Sequence, residues 1–173
     1  KRYSVEHKNT LVGEIHRKNV EVERFEAVND VVIFRGLNSL VSVRVDIDEK
    51  PAFENLRGDG VIVCSGVGST AYNLAGGGPI FEVGLGLTPL AVAMINVKPI
   101  QQDESRVIRL TCLGGARPNP DDEFVLEIDG DNSGRVKMGD KVIVTSDEGR
   151  VDLIVPEGSS FVRQLQNKLG MST

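Results

Sequence analysis

The sequence predicts a mainly β domain, a layered and sandwich-like arrangement of sheets carrying two short helices. Three observations predict it. Apolar and polar residues alternate with a period of two along much of the chain, turn residues separate the alternating runs, and helical spacing is confined to two places. With 173 residues the chain fits one well-cored domain, so residues 1–173 are read as a single domain.

The clearest strand is LVSVRVDID, where Val41, Val43, Val45 and Ile47 alternate with Ser42, Arg44, Asp46 and Asp48. A short apolar strand, GVIVCS, follows at Gly60–Ser65. A helix is expected from near Ser69 to Ala75, because Gly76-Gly77-Gly78-Pro79 then stops it. Alternation returns in Arg106–Leu113, with Ile108, Leu110 and Cys112 on one face, and in Phe124, Leu126 and Ile128. Val142–Val144 and Val151–Val155 are read as further strands. The turn residues Met138-Gly139-Asp140 and Asp147-Glu148-Gly149 bound them, so the second half is expected to be antiparallel hairpins. At the end, Phe161, Leu165 and Leu169 repeat every four residues behind Ser159 and Ser160, with Gly170 as C-cap. This last helix is expected to lie as a lid on the core.

Composition narrows the function classes. Hydrophobic residues at 40% and charged residues at 26% describe an ordinary globular chain rather than a disordered one. A net charge of -5, with no basic stripe, argues against nucleic acid as a partner. The longest apolar stretch, Leu85–Val97, is interrupted by Pro89 and Asn96 and is too short for a membrane helix, and the first residues form no secretory signal. Cys64 and Cys112 lie inside apolar runs, which suits a reducing, cytoplasmic setting. His7 and His16 stand far from either cysteine and are expected at the surface rather than in a metal site.

The stretch Asp59–Pro79 carries the most chemistry. A strand runs into Gly66-Val67-Gly68, then Ser69-Thr70-Ala71-Tyr72, then three glycines and a proline. A strand feeding a glycine-rich turn that opens a helix presents free N–H groups and a helix dipole to a negatively charged guest. The same glycines serve equally well to make a tight bend. Residues 66–71 also satisfy the Gly-x-Gly-x-x-Ala dinucleotide fingerprint, but the helix has room for only about two turns and no βαβ unit follows. A second pattern, Asp129, Asp131, Ser133, Gly134 and Asp140, matches positions of a calcium loop. The alternating strand before it and the cations Arg135 and Lys137 within it favour a hairpin turn instead.

Gly58–Pro79, reading GDGVIVCSGVGSTAYNLAGGGP, resembles the signature of the NAD kinase family, whose usual form contains TPTGSTAY. The segment Ala27–Ile33 with Arg35-Gly36 resembles that family's Asn-Asp segment, and Gly158–Gly170 its closing segment. The resemblance covers Glu26–Gly170 and implies a C-terminal, dinucleotide-binding domain. It implies phosphorylation of the 2′-hydroxyl of the adenosine ribose of NAD to give NADP, with ATP or polyphosphate as donor and a divalent cation, commonly magnesium, as cofactor. It places Asn29 and Asp30 on the ribose and base of the dinucleotide. Thr70, Ala71 and Tyr72, with Asn73, Leu74 and Ala75 behind them, would form the pocket wall. Arg57 and Asp59 match positions that reach a ligand held by a neighbouring subunit, implying a homo-oligomer, a dimer or tetramer.

Two departures stand out. Asp131 falls where the family has an uncharged amide, and a carboxylate there repels a pyrophosphate. Val67 removes a hydroxyl. The family's Gly-Gly-Asp-Gly segment, whose aspartate activates the ribose hydroxyl, has no counterpart between Lys1 and Glu26, so the N-terminal ATP-binding domain is expected to be absent from this chain. Asp59, in Gly58-Asp59-Gly60, follows the Asn-Asp segment and is not read as that aspartate. A lipid kinase of the diacylglycerol or sphingosine type and a non-catalytic dinucleotide sensor stand as alternatives.

Overall fold

A computed structural model describes residues 2–36, 40–92 and 96–170. In chain order the strands are β1 (Tyr3–His16), β2 (Glu23–Ala27), β3 (Asp30–Phe34), β4 (Val41–Ile47), β5 (Lys50–Gly58) and β6 (Gly60–Cys64). A 3-10 helix (Val67–Thr70) and the helix α1 (Tyr72–Ala75) come next. Then follow β7 (Leu85–Leu90), β8 (Ile100–Gln102), β9 (Ile108–Gly114), β10 (Glu123–Ile128), β11 (Asp131–Lys137), β12 (Lys141–Pro156) and the helix α2 (Phe161–Lys168).

Among the described residues the strands form two six-stranded sheets, ordered β2-β1-β12-β9-β4-β5 and β11-β10-β3-β6-β7-β8. Every pairing is antiparallel. The expected mainly β class and the two short helices are both present. Because side chains alternate across a strand, each sheet turns one apolar set inward. Leu11, Val43, Val45, Leu110 and Val142 from the first sheet meet Val31, Ile33, Val61, Val63, Leu87, Phe124 and Leu126 from the second in one core. Each such side chain contributes about 1.5–3 kcal/mol of burial energy, which offsets the entropy lost on ordering the chain.

The middle of the second sheet differs from its edges. Every residue of β6 and β7 is buried, as are the first four of β3, so these strands are covered on both faces. Their outer side chains, Val32, Ile62, Cys64 and Leu90, form a second, smaller core with Phe81. The covering is the segment that follows β6, and it builds the site.

Two expectations change. The turn expected at Asp147-Glu148-Gly149 is an irregularity in one continuous strand: β12 pairs with β1 from end to end, and the register shifts between Lys8 and Thr10. Residues 148–150 of β12 stand opposite the single Asn9 of β1, and the two extra residues are absorbed as a bulge that leaves the ladder on either side intact. The C-terminal helix exists, with Ser160 as N-cap accepting from the Arg163 N–H, but none of its residues is buried. It covers a cleft beside the 3-10 helix rather than the core, with Phe161 and Leu165 half-buried.

Candidate functional site

β3 and β6 run side by side with Asp30 opposite Cys64 and Phe34 opposite Gly60. Alternation sends Asp30, Val32 and Phe34 to the outer face of the second sheet. The chain leaving β6 crosses this face closely. A Cβ built on Gly68 would stand 1.9 Å from the carbonyl oxygen of Asn29, so only glycine permits the approach. Ser65 stitches the two segments together. Its N–H donates to the Asn29 carbonyl at 2.9 Å, and its hydroxyl donates to the Val28 carbonyl at 2.6 Å and accepts from the Gly68 N–H at 3.1 Å.

These bonds alter the expected ligand cradle. The Gly68 N–H is held by Ser65, while the Ser69 and Ala71 N–H groups close turns onto the Gly66 and Gly68 carbonyls at 3.3 and 2.9 Å. The single helix expected from Ser69 breaks at Ala71 (φ -97°, ψ -128°) into a 3-10 turn and a four-residue helix. The glycine-rich turn is therefore a close-packing element, and a helix this short carries little dipole.

What the crossing creates is a depression divided by Tyr72. On one side Asn29, Asp30, Ala71, Glu127, Asp129 and Gly130 line a cavity of about 270 Å³. On the other, Phe34, Arg35, Asp59, Ala75 and Glu127 border one of about 580 Å³. The Tyr72 ring stacks at a tilt on Phe34, with centroids 5.7 Å apart, and remains 40% exposed. It offers the depression an aromatic surface and a hydroxyl.

The electrostatics are acidic. Asp30, Asp59, Glu127 and Asp129 surround Tyr72, and Arg35 pairs with Asp59 at 2.9 Å. Burial, reinforced by the Asp129 charge, pushes the Asp30 carboxyl up to about 6, although a hydrogen bond from the Tyr72 backbone N–H opposes the shift. Burial raises the Tyr72 phenol too, helped by Glu127, Asp30 and Asp59. The Cys64 thiol, buried beside Asp30, is pushed up to about 12 and stays neutral. Such a ring of carboxylates suits hydroxyl and amino donors and disfavours phosphate at the same spot.

The comparisons with known proteins decide the family. The family model of the ATP-NAD kinase C-terminal domain matches residues 28–155. This chain belongs to that family. It is 34% identical to the NAD kinase of Shewanella loihica over 174 residues, covering 97% of this chain and 57% of the relative. It is likewise 34% identical to the NAD kinase of Teredinibacter turnerae, covering 99% and 58%. The chain thus spans a little over half the length of the curated relatives it matches. Among solved structures, yeast NADH kinase complexed with NADH superimposes with a TM-score of 0.87 at 23% identity, over 99% of this chain and 50% of that one. The NAD kinase of Archaeoglobus fulgidus in complex with ATP gives 0.69 at 18%, over 98% and 61%. At those identities the structures establish the fold of this ATP-NAD kinase C-terminal domain. Neither a lipid kinase nor a stand-alone sensor draws support from these matches.

Within the domain the expected site residues divide. Asn29, Asp30, Ala71 and Tyr72 share one side of the depression, and Asp59, Tyr72 and Ala75 the other. Thr70 faces the opposite cleft, where its hydroxyl accepts from the Lys168 ammonium at 3.1 Å. Asn73 is fully buried and every polar atom of its side chain is bonded within the fold. Leu74 is half-buried and lines neither cavity. Arg57 is exposed on β5 with its guanidinium 3.4 Å from the Ala116 carbonyl, and Asp131 is exposed at the start of β11. The calcium-loop pattern forms the β10–β11 hairpin, its acids pointing to separate partners: Asp129 to backbone N–H groups of residues 28–30, Asp140 to the Lys137 N–H. His7 is exposed and hydrogen-bonds Asp152, and His16 is half-buried beside Glu14.

Phe34 and Glu127 were not expected in the site. Glu127 was legible in the alternation of EFVLEI, which puts it on the face opposite Phe124 and Leu126, beside Val32 of β3.

Proposed function

We propose that this chain is the dinucleotide-binding domain of an NAD kinase, which transfers the terminal phosphoryl of ATP or polyphosphate to the 2′-hydroxyl of the adenosine ribose of NAD. The observation that carries the reading is a coincidence of two things. The family match spans Asn29, Asp30 and Tyr72, and these residues meet in one acid-lined depression. One of the solved relatives is described as holding NADH and the other ATP.

The acidic ring supports a division of the dinucleotide among these residues. Hydroxyls of a ribose and the amino group of a base donate to Asp30 and Glu127, while the ring face of Tyr72 covers the base. The Asn29 amide, which makes no hydrogen bond among the described residues, donates and accepts there as well. The pyrophosphate points away from these carboxylates. Transfer forms a bond from the 2′-oxygen to phosphorus, breaks the bond from phosphorus to the bridging oxygen and releases the hydroxyl proton, so the domain's part is to hold the hydroxyl in line.

The implied magnesium has no built site among the described residues. No group of three or more potential ligands converges there, Asp129 is engaged by three N–H groups, and Asp59 is paired with Arg35. We read residues 1–173 as one domain and take the donor-binding domain to lie in the part of the relatives this chain does not span. On that reading the fragment alone does not phosphorylate NAD. Exposed Arg57 on an edge strand is available to a neighbouring subunit, and a cytoplasmic homo-oligomer is the expected state.

Isothermal calorimetry of this chain with NAD and NADP tests the site. Saturable binding is expected, and no heat at millimolar ligand would sink the reading. Sedimentation over micromolar concentrations tests the oligomer, which a monomer throughout would contradict.

A further inference from the structure

The β10–β11 hairpin faces the site from the side opposite the glycine-rich turn. Its two turn residues both take left-handed backbone angles, Asp129 at φ +50° and Gly130 at φ +83°. Aspartate visits that region more readily than most residues, so the turn accepts it, and its side chain is taken up by the loop between β2 and β3. One carboxylate oxygen of Asp129 accepts from the Val28 N–H at 2.7 Å, and the other accepts from the Asn29 N–H at 2.6 Å and the Asp30 N–H at 3.1 Å. The Asp129 N–H returns a bond to the Asp30 carbonyl at 3.0 Å. Three successive donors of a loop thus converge on one side chain about a hundred residues away, with Ser65 holding the same loop's carbonyls from the other side.

We propose that Asp129 is a positioning residue for dinucleotide binding: by gripping the backbone of residues 28–30 it aims the Asn29 and Asp30 side chains into the depression. The proposal rests on the reading of that depression as the dinucleotide site. A carboxylate suits this task because, once ionised, it accepts on both oxygens, and charge-assisted bonds to N–H groups are the stronger kind. Its charge has a second effect. The groups facing the Asp30 carboxyl are Asp129 and Glu127 from the hairpin, the Cys64 thiol from β6, and the Tyr72 phenol with its backbone N–H from α1. After burial, Asp129 is the larger of the two charges that raise Asp30, so removing it lets Asp30 lose its proton at lower pH. That titration reports the charge of Asp129, while the amides of residues 28–30 and the NAD affinity report its grip on the loop.

The test compares the chain with its Asp129→Ala and Asp129→Asn variants by amide hydrogen exchange, by NMR titration of the Asp30 carboxyl, and by NAD calorimetry. In Asp129→Ala, protection is expected to fall at Val28, Asn29 and Asp30 while the strands keep theirs, and NAD affinity to fall about tenfold or more. Asp129→Asn keeps one accepting oxygen and is expected to bind with intermediate affinity. In both variants the Asp30 midpoint moves below its wild-type value of about 6. Wild-type affinity in Asp129→Ala overturns the proposal, whether or not amide protection is lost. If Asp129→Ala does not fold, wild-type affinity in Asp129→Asn overturns it instead. Absence of NAD binding by the wild-type chain overturns the functional reading, and this proposal with it.

Discussion

The loop before β3 and the helix α1 each bring an asparagine to the outer face of the second sheet, and the fold uses the two in opposite ways. Asn73 is wholly buried. Its amide donates to the Ser69 and Pro79 carbonyls at 3.0 and 2.8 Å, and its oxygen accepts from the Thr88 hydroxyl at 2.6 Å. It closes the loop from Ser69 to Pro79 as a strut, and Gly78 lies so near that a Cβ there would be 2.0 Å from its oxygen. Asn29 is half-buried, its backbone is gripped by Asp129, Ser65 and Gly68, and its side chain is left to the depression. The difference teaches that a polar residue in a motif stays available to a ligand when the fold fixes its backbone and leaves its side chain unclaimed.

The strongest attack on this contrast is Gly68→Ala, which drives a methyl into the Asn29 backbone that both regions share. Neither peptide can yield, so a loss of about 3 kcal/mol or more is expected in urea unfolding, together with loss of NAD binding. Stability within experimental error of wild type would show that the contact is slack.

Asn73→Ala is next. It leaves the Thr88 hydroxyl and two carbonyls without partners in a buried place, for an expected loss of about 2–4 kcal/mol. The lost stability, read from urea midpoints, is expected to exceed by far any direct loss of ligand contacts. A fully stable variant with abolished binding would reverse the roles assigned to the two asparagines.

Asp30→Asn probes the charge between them. The folded carboxyl holds its proton to about pH 6, above its ordinary value of 3.8, so in that window the native state binds more protons than the unfolded chain. Wild-type stability therefore falls as pH rises from about 4 to 6 and stays reduced above it, by an upper bound of about 3 kcal/mol. The variant lacks this penalty. It is expected to gain over wild type at pH 7.5 and to lose that advantage near pH 4. Equal pH profiles in denaturant titrations would contradict the burial of a charge at Asp30.

Asn29→Ala completes the comparison with the smallest structural effect. Stability is expected within about 0.5 kcal/mol of wild type, while NAD affinity drops by about 1–3 kcal/mol. A change in unfolding midpoint larger than the change in affinity would place Asn29 with Asn73 as a strut.

Much of this was legible in the chain because each signal was local. Period-two runs gave the central strands, and the triple glycine ended the short helix where expected. What escaped depended on distant partners. In β1 the inward-facing Leu11 and Ile15 alternate, but Tyr3–Asn9 is polar and gains its strand form only from pairing with β12. Asp147-Glu148-Gly149 has turn composition, and the partner strand overrides it. The grouping of Asn29, Asp30 and Tyr72 followed from the motif, whereas the burial of Asn73 required knowing that Thr88 and Pro79 surround it. Asp129 carried a calcium-like spacing, and its real partners lie about a hundred residues earlier.

The pairing of β1 with β12 also governs when the domain can assemble. β1 lies between β2 and β12, and its register joins Tyr3 to Pro156 and His16 to Lys141. Sheet one is therefore incomplete until the chain past Pro156 is available. On a ribosome, β1 waits through the synthesis of nearly the whole domain with one edge open, while β3, β6 and β7, close together in sequence, are free to associate. Closing so long a loop is entropically costly, and topologies dominated by such contacts fold slowly, in milliseconds to seconds. The half-built molecule is the state in which this protein is most exposed to strand-edge aggregation.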